Sequence, residues 1–286
     1  MNVFINKLKV INQNFYYKFI EKNIYIIKKK KFKRKLNPKI TIYTPTKNRA
    51  EILVSRAVKG VLSQSYKNFE YIIVGDYCND NTKDLVTKIN DPRIKYYDLK
   101  EQGIKYETFK DLKKIWLRGG AIPANFAINK SSGDWIARCD DDEEWTENFL
   151  KETLDFALNN DFEFVSSGSI YTENPDDDET IKKLEDHYLY DEYFQSNLFY
   201  KEGLNNCKIG APSTWLIRSN LSFFKFNEES WRKDYNQVCD CDFINRLAYC
   251  NVNCGYLDKS LVYQLPRPGN DATGLLGALN DYKNLK

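Results

Sequence analysis

A chain of 286 residues, 42% hydrophobic and 15% aromatic, is long enough for one large domain or two small ones and apolar enough to build a core. Its net charge of +3 averages two unlike parts: residues 1–39 hold 12 Lys or Arg and one acid, so the remainder carries 31 basic and 39 acidic residues, or −8. An acidic body argues against nucleic acid as a partner, no uncharged apolar run reaches the roughly 18 residues of a spanning helix, and seven cysteines with no secretory signal point to a reducing cytoplasm.

Residues 1–38 read as a basic, aromatic-rich extension. The run "VFINKLKVINQNFYYKFIEKNIYIIKKKKFKRK" interleaves Phe, Tyr and Ile with Lys, which leaves two readings open. It is either a solvated, loosely helical arm or a segment lying in an anionic membrane interface, which would place the protein peripherally at the inner face of the membrane. From residue 39 to 286 the pattern predicts one α/β domain. A buried strand is expected at Ile40–Thr44, then an amphipathic helix in "AEILVSRAVKGVLSQ", then a strand at Phe69–Val74 that ends in Gly75 and Asp76. Strand, helix and strand within some 40 residues signal a parallel sheet. A helix follows at Thr82–Ile89, a strand at Ile94–Tyr97, a helix at Ile122–Lys130 and the strand "WIARC". Thr146 is placed to cap the next helix, whose Phe149, Leu150, Leu154, Ala157 and Leu158 form one stripe. The second half is less regular: "FEFVSS" and "STWLIR" read as strands and "DCDFINRLAY" as the start of a helix. The expected class is therefore a mostly parallel central sheet with helices on both faces.

Five carboxylates, Asp140 to Glu144, stand directly behind "WIARC", at the carboxyl edge of the sheet where open α/β folds bind ligands. Adjacent aspartates repel unless a cation or several donors compensate. A D-x-D spacing of hard oxygens suits magnesium or manganese, ions that share their shell with substrate phosphates. Glu143, Glu144 and Glu147 are expected to serve the following helix's positive N-terminus instead. The other acidic run, "ENPDDDET" at residues 173–180, has no buried strand ahead of it and reads as a solvated loop. Asp76 ends a second strand of the same sheet, so two strand-end acids converge on one crevice, as a nucleotide bound through a cation requires. Cys239, Cys241, Cys250 and Cys254 lack the paired C-x2-C spacing of zinc sites.

The order "TPTKNR", "QSYKNFEYIIVGDYCNDNT" and "ANFAINKSSGDWIARCDDDEEW" resembles the nucleotide-binding half of family 2 glycosyltransferases of the GT-A fold, over residues 40 to about 160. The resemblance implies a nucleotide-sugar-binding half at residues 39–160, an acceptor half at 161–265 and a C-terminal loop or tail at 266–286. It implies that Thr44 and Pro45 line the base and ribose, that Asp76 accepts a hydrogen bond from the base and that Asp141 lies near the ribose. Asp140 and Asp142 become the D-x-D pair, with Asp142 the direct ligand of a divalent Mn or Mg. Arg49 belongs to a block that usually reads Tyr-Asn-Arg, with Lys47 here in place of the Tyr, and Gly75 stands where the family usually has a first Asp. Arg118, before a Gly-Gly turn, is a candidate for the diphosphate. In the acceptor half the family's acidic motif is matched by "VCDCDFINRL", with Cys239 in place of a Glu; Asp240 is the expected base and Asp242 the second choice.

The implied enzyme is an inverting, hexosyltransferase-type glycosyltransferase, moving a sugar from a nucleoside-diphosphate donor, UDP favoured, to a saccharide or lipid-linked hydroxyl in surface polysaccharide or glycolipid synthesis. Two alternatives remain. A sugar nucleotidyltransferase would need a Gly-rich loop after the first strand, and "TPTKNRAE" has none. A non-catalytic sugar- or membrane-binding module would not need the intact acids. Trp215 and Trp231 are expected to pack rather than to stack on sugar, His187 to lie at the surface, and Arg267, in the Pro/Gly-rich loop 264–271, to close over the diphosphate.

Overall fold

A computed structural model of the chain describes residues 2–100, 114, 118–172, 207–230 and 239–265. The run 173–180 and the side chains of Trp231, His187 and Arg267 lie outside the described residues, as does the tail from 266.

Eight strands form one sheet in the order β3-β2-β1-β4-β7-β6-β8-β5. They are β1 (Ile40–Thr46), β2 (Phe69–Gly75), β3 (Ile94–Asp98), β4 (Trp135–Arg138), β5 (Glu143–Trp145), β6 (Phe164–Tyr171), β7 (Trp215–Arg218) and β8 (Cys254–Gln264). The first four run parallel, as the βα alternation predicts. β7 then enters antiparallel to β4 and to β6, and β6 pairs parallel with β8. Alternation along β1 divides the core: Ile40 and Ile42 face the helices Ala50–Ser63 and Phe149–Asn159, whereas Tyr43 faces Ala121–Lys130 and Cys239–Tyr249. Helices therefore cover both faces, and the register Thr46 to Gly75 to Asp98 lines up three strand ends at the carboxyl edge.

Two local expectations change. Glu143 and Glu144 do not flank a helix; they belong to β5, antiparallel to β8, with Glu144 held by Lys59 at 3.0 Å. The helix starts at Phe149, and its cap is Gln64 rather than Thr146. The sealed Gln64 side chain accepts from the Leu150 backbone N–H at 2.9 Å and donates to the Thr146 carbonyl at 2.7 Å, satisfying one of the helix's orphan donors from another element.

The N-terminal segment is neither loose nor solvated on all sides. It is helical through Asn2–Phe15, a wider π-type turn at Tyr16–Glu21 and Lys22–Lys31. Glu21 and Tyr25 are buried against the second half of the domain. Among the described residues no helix is long and apolar enough to cross a membrane. All seven cysteines are free of disulfides, and among the described residues Cys239, Cys241, Cys250 and Cys254 join no group of three or more metal-ligating side chains.

Candidate active site

The carboxyl edge of β1 and β4 gathers the acids. Asp141 is buried, and its two oxygens are both engaged: Thr46 Oγ1 donates to Oδ2 at 2.8 Å and Arg49 Nη1 to Oδ1 at 3.0 Å. Arg49 also reaches Asp142 Oδ2 at 3.4 Å, and Arg56 holds the Asp142 carbonyl at 3.0 Å. Burial pushes the Asp141 carboxyl up to about 6; Arg49 works against that and Asp142 adds to it. Thr44 sits one pleat deeper than Thr46. Its hydroxyl is committed to Tyr71 and to the Cys139 carbonyl at 2.8 and 2.7 Å, so Thr46, on the same face, holds the edge position that sequence reading gave to Thr44. Pro45 packs beneath the Gly-Gly turn, where a Cβ on Gly120 would lie 3.3 Å from the Pro45 Cβ. Arg118 stands two residues before that contact in the chain.

Asp76 follows β2 directly, with its backbone N–H bonded to the Thr46 carbonyl at 2.8 Å. The neighbouring Gly75 has a steric reason: a Cβ there would meet Asp98 Oδ1 and the Tyr96 hydroxyl, each at 2.6 Å. The wall beside Asp76 is thus built by β3, which fills the space an aspartate would need.

Asp140 turns the other way. Arg138 Nε donates to its Oδ1 at 2.5 Å, and its backbone N–H donates to Ser213 Oγ at 2.8 Å. Arg138 links the two halves of the domain. Burial opposes its charge, but Asp140, Tyr43, Cys239 and Asp240 together outweigh that and leave its pKa raised. Asp240, in the first turn of the helix Cys239–Tyr249, feels the same cation. Burial raises the pKa of its carboxyl, Arg138 counteracts, and Asp140 contributes further upward pressure. Arg138, bonded to Asp140, thus also bears on a carboxylate 100 residues away in sequence.

Asp242 is not part of this group. Two residues along a helix point to nearly opposite sides, and Asp242 is sealed against Arg246 Nε at 3.1 Å. That Arg246 is in turn paired with Glu21 at 2.6 Å. Its surroundings are those of an anchor within the fold. Trp215 is also core, packed on Phe164 and Phe243 with its indole N–H on the Gly210 carbonyl.

Among the described residues no three His, Cys, Asp or Glu side chains converge as a metal-ligand set. The donor set nonetheless fits an ion of the kind held by one or two carboxylates, waters and substrate phosphates. Its negative charge is under-compensated: burial, then Asp140 and Asp142, drive the Glu143 carboxyl well above the ordinary range, and Glu143 Oε2 finds no hydrogen-bond partner among the described residues. A divalent cation beside Asp140 and Asp142 would relieve that.

Sequence reading missed Thr46, Arg138 and Ser213. Arg138 carries a usable signal, since a cation ending an otherwise apolar buried strand, ahead of an acid cluster, requires a nearby counter-charge. Ser213 offers none, because its relation to Asp140 exists only once β7 lies beside β4.

Comparison with known proteins bears on the family and the fold. The model of the family described as Glycosyl transferase family 2 matches residues 41–222. WcaA of Escherichia coli strain K12, named as a colanic acid biosynthesis glycosyl transferase, is 36% identical over 151 residues, which cover 49% of this chain and 47% of WcaA. WfgD of Escherichia coli, named as a UDP-Glc:alpha-D-GlcNAc-diphosphoundecaprenol beta-1,3-glucosyltransferase, is 27% identical over 218 residues, 76% of this chain and 74% of that protein. The chain thus spans about half of the one relative and about three quarters of the other. Among solved structures, S. aureus TarS in complex with UDP superposes with a TM-score of 0.57 at 20% identity, covering 80% of this chain and 61% of that one. The mannosyltransferase PcManGT from Pyrobaculum calidifontis, in complex with GDP-Man and Mn2+, gives 0.56 at 14% identity, covering 99% and 76%. At those identities the two structures speak to the fold, which is that of the GT-A glycosyltransferases.

Proposed function

The chain belongs to glycosyl transferase family 2, and on that premise we propose that it moves a sugar from a nucleoside diphosphate, UDP first, to a hydroxyl of a saccharide or lipid-linked acceptor. The observation that carries this reading is Arg138, which couples Asp240 of the acceptor half to Asp140 of the donor half. A base for the acceptor and a platform for the leaving diphosphate are the two things the reaction needs, and Asp240 and Asp140 are the candidates for them.

Asp76 and Thr46 bound the base and ribose end, with Pro45 as floor, and Arg49 keeps Asp141 and Asp142 in place. Arg118, just before the Gly-Gly turn, is the candidate donor for the diphosphate. The residues that would hold a divalent Mn or Mg are Asp142 and Asp140, and the ion would supply Lewis-acid stabilisation of charge on the leaving group. Asp240 takes the proton of the acceptor hydroxyl as its oxygen bonds to the anomeric carbon. The bond from that carbon to the diphosphate breaks, and its electron pair leaves with the phosphate. Burial raises the pKa of the Asp240 carboxyl and so makes it a stronger base than an exposed aspartate, while Arg138 counteracts that rise. Attack from the side opposite the leaving group inverts the centre. Asp242 contributes to this only by fixing the helix.

The names of WcaA and WfgD, colanic acid synthesis and a diphosphoundecaprenol acceptor, support surface polysaccharide or glycolipid synthesis on a membrane-embedded carrier, with the protein working peripherally. The test is a thermal-shift screen of UDP, GDP and their sugars with and without manganese, since stabilisation follows affinity, paired with donor hydrolysis. Active wild type with Asp142→Ala and Asp240→Asn silent supports the reading; a wild type that neither binds nor hydrolyses any donor sinks it and leaves a non-catalytic module.

A further inference from the structure

The N-terminal helix is amphipathic twice over. Its inner face is fixed to the acceptor half at four-residue steps: Gln13 donates to Asn227 at 3.2 Å, the Tyr17 ring lies 4.5 Å from the Arg246 guanidinium, Glu21 pairs with Arg246 at 2.6 Å, and the Tyr25 hydroxyl donates to Glu163 at 2.5 Å. A regular α-helix would rotate such a series progressively off its face, and the wider turn at Tyr16–Glu21 offsets the drift. This docking determines what the opposite side must show. Leu8, Ile11, Phe15 and Phe19 are 46 to 60% exposed, and Ile26 and Ile27 continue the exposure at 42 and 54%. Of the eleven exposed large hydrophobic side chains among the described residues, these six and the adjacent Tyr16 and Ile20 make eight. Scattered apolar residues are ordinary on a surface, but a contiguous stripe marks an interaction site.

Charge identifies the occupant. Residues 2–35 carry 11 Lys or Arg, and their one acid, Glu21, is buried and already paired. Lys18, Lys22, Lys30 and Lys31 are exposed along this helix. A second copy of the chain would bring the same cations to the same face. Anionic headgroups would complement them, with the lysine stems lying along the apolar stripe.

We infer that the outward face of the N-terminal helix, along Leu8, Ile11, Phe15 and Phe19, docks in the interface of an anionic lipid bilayer. This deepens the lipid-linked reading of the acceptor and rests on it for its purpose. The 30 helical residues would lie flat over about 45 Å of membrane. Through Glu21 and Arg246 the same helix grips the one that opens at Asp240, so a docked protein holds its base at a set height above the lipid.

The experiment is co-sedimentation of the full chain with vesicles of phosphatidylcholine, with or without phosphatidylglycerol. Wild type is expected to sediment with the mixed vesicles, to stay in solution with phosphatidylcholine alone, and to be released by high salt. The exposed double change Phe15→Ser with Phe19→Ser lowers partitioning roughly tenfold or more, as does Lys30→Glu with Lys31→Glu. Both variants keep wild-type donor hydrolysis and melting temperature. Wild type that stays in solution with mixed vesicles overturns the inference, as does undiminished binding by the double serine variant. A dimer that the serine changes dissociate, in a protein that binds no vesicles, assigns the stripe to a second copy and also overturns it. Vesicle binding without any donor hydrolysis leaves this inference standing and removes the glycosyl-transfer reading; hydrolysis without vesicle binding does the reverse.

Discussion

Arg246 Nη1 donates to Glu21 Oε1 at 2.6 Å across 225 residues of sequence, and both side chains are almost entirely enclosed. The pair closes a chain from the N-terminal helix through Arg246 to Asp242, and so to the helix that presents Asp240. Removing one member of a buried pair strands the other. Glu21→Ala is expected to cost about 3–5 kcal/mol, read as a lower midpoint in urea unfolding, and a loss below about 1 kcal/mol would mean that the contact is only peripheral.

Asp240 and Asp242 should separate cleanly. Asp240→Asn removes the proposed base and is expected to lower turnover by about 10²- to 10⁴-fold while UDP still raises the melting temperature. Asp242→Asn weakens the anchor to Arg246 and is expected to act first on the urea midpoint. A stable Asp242→Asn with turnover as low as that of Asp240→Asn would exchange the two roles.

Glu70, at the amino edge of the sheet, sets a pH dependence of stability. Burial alone raises its carboxyl, but hydrogen bonds from Lys95, Ser132 and Thr41 outweigh that and hold it below the usual carboxylate range; Lys39 adds a second cation at 3.1 Å. A depressed folded pKa stabilises the protein above the unfolded value, near 4.3, and the contribution disappears as pH falls toward the folded one. Glu70→Gln is therefore expected to cost roughly 2–4 kcal/mol at neutral pH. The gap to wild type, followed by urea unfolding across pH, should narrow below about 4.3; a gap independent of pH would refute the assignment.

Gly75 tests the wall beside Asp76. In Gly75→Ala the new Cβ starts 2.6 Å from Asp98 Oδ1 and from the Tyr96 hydroxyl, and overpacking of this kind costs about 1–3 kcal/mol. β3 must shift away, so the UDP-dependent thermal shift is expected to shrink along with the melting temperature. An unchanged nucleotide shift would place the base elsewhere.

Much of residues 39–160 was legible because the signals there are local. Alternation in "NFEYIIVGD" and the stripe from Phe149 to Leu158 reflect the periods of strand and helix, and acids just beyond buried strands mark the carboxyl edge without any knowledge of neighbours. β5 and β8 were not legible for the opposite reason. "EEW" forms a strand only because β8 offers it an edge, and β8 itself carries Asp258, Lys259 and Ser260 opposite a bulge at Gly168. The helix cap from Gln64, the turn of Asp140 toward Arg138 and the departure of Asp242 into an ion pair likewise depend on residues distant in the chain. So does the docking of the N-terminal helix, whose composition gives no sign of the partners that Glu21 and Tyr25 find in Arg246 and Glu163. Sequence alone determined the elements with a strong local period and where acidic edge positions fall, since backbone period and turn chemistry are properties of neighbouring residues. Which of those acids face one another, and which side of the first helix remains outside, was decided by tertiary pairing, because a buried charge is stable only where the fold brings its partner.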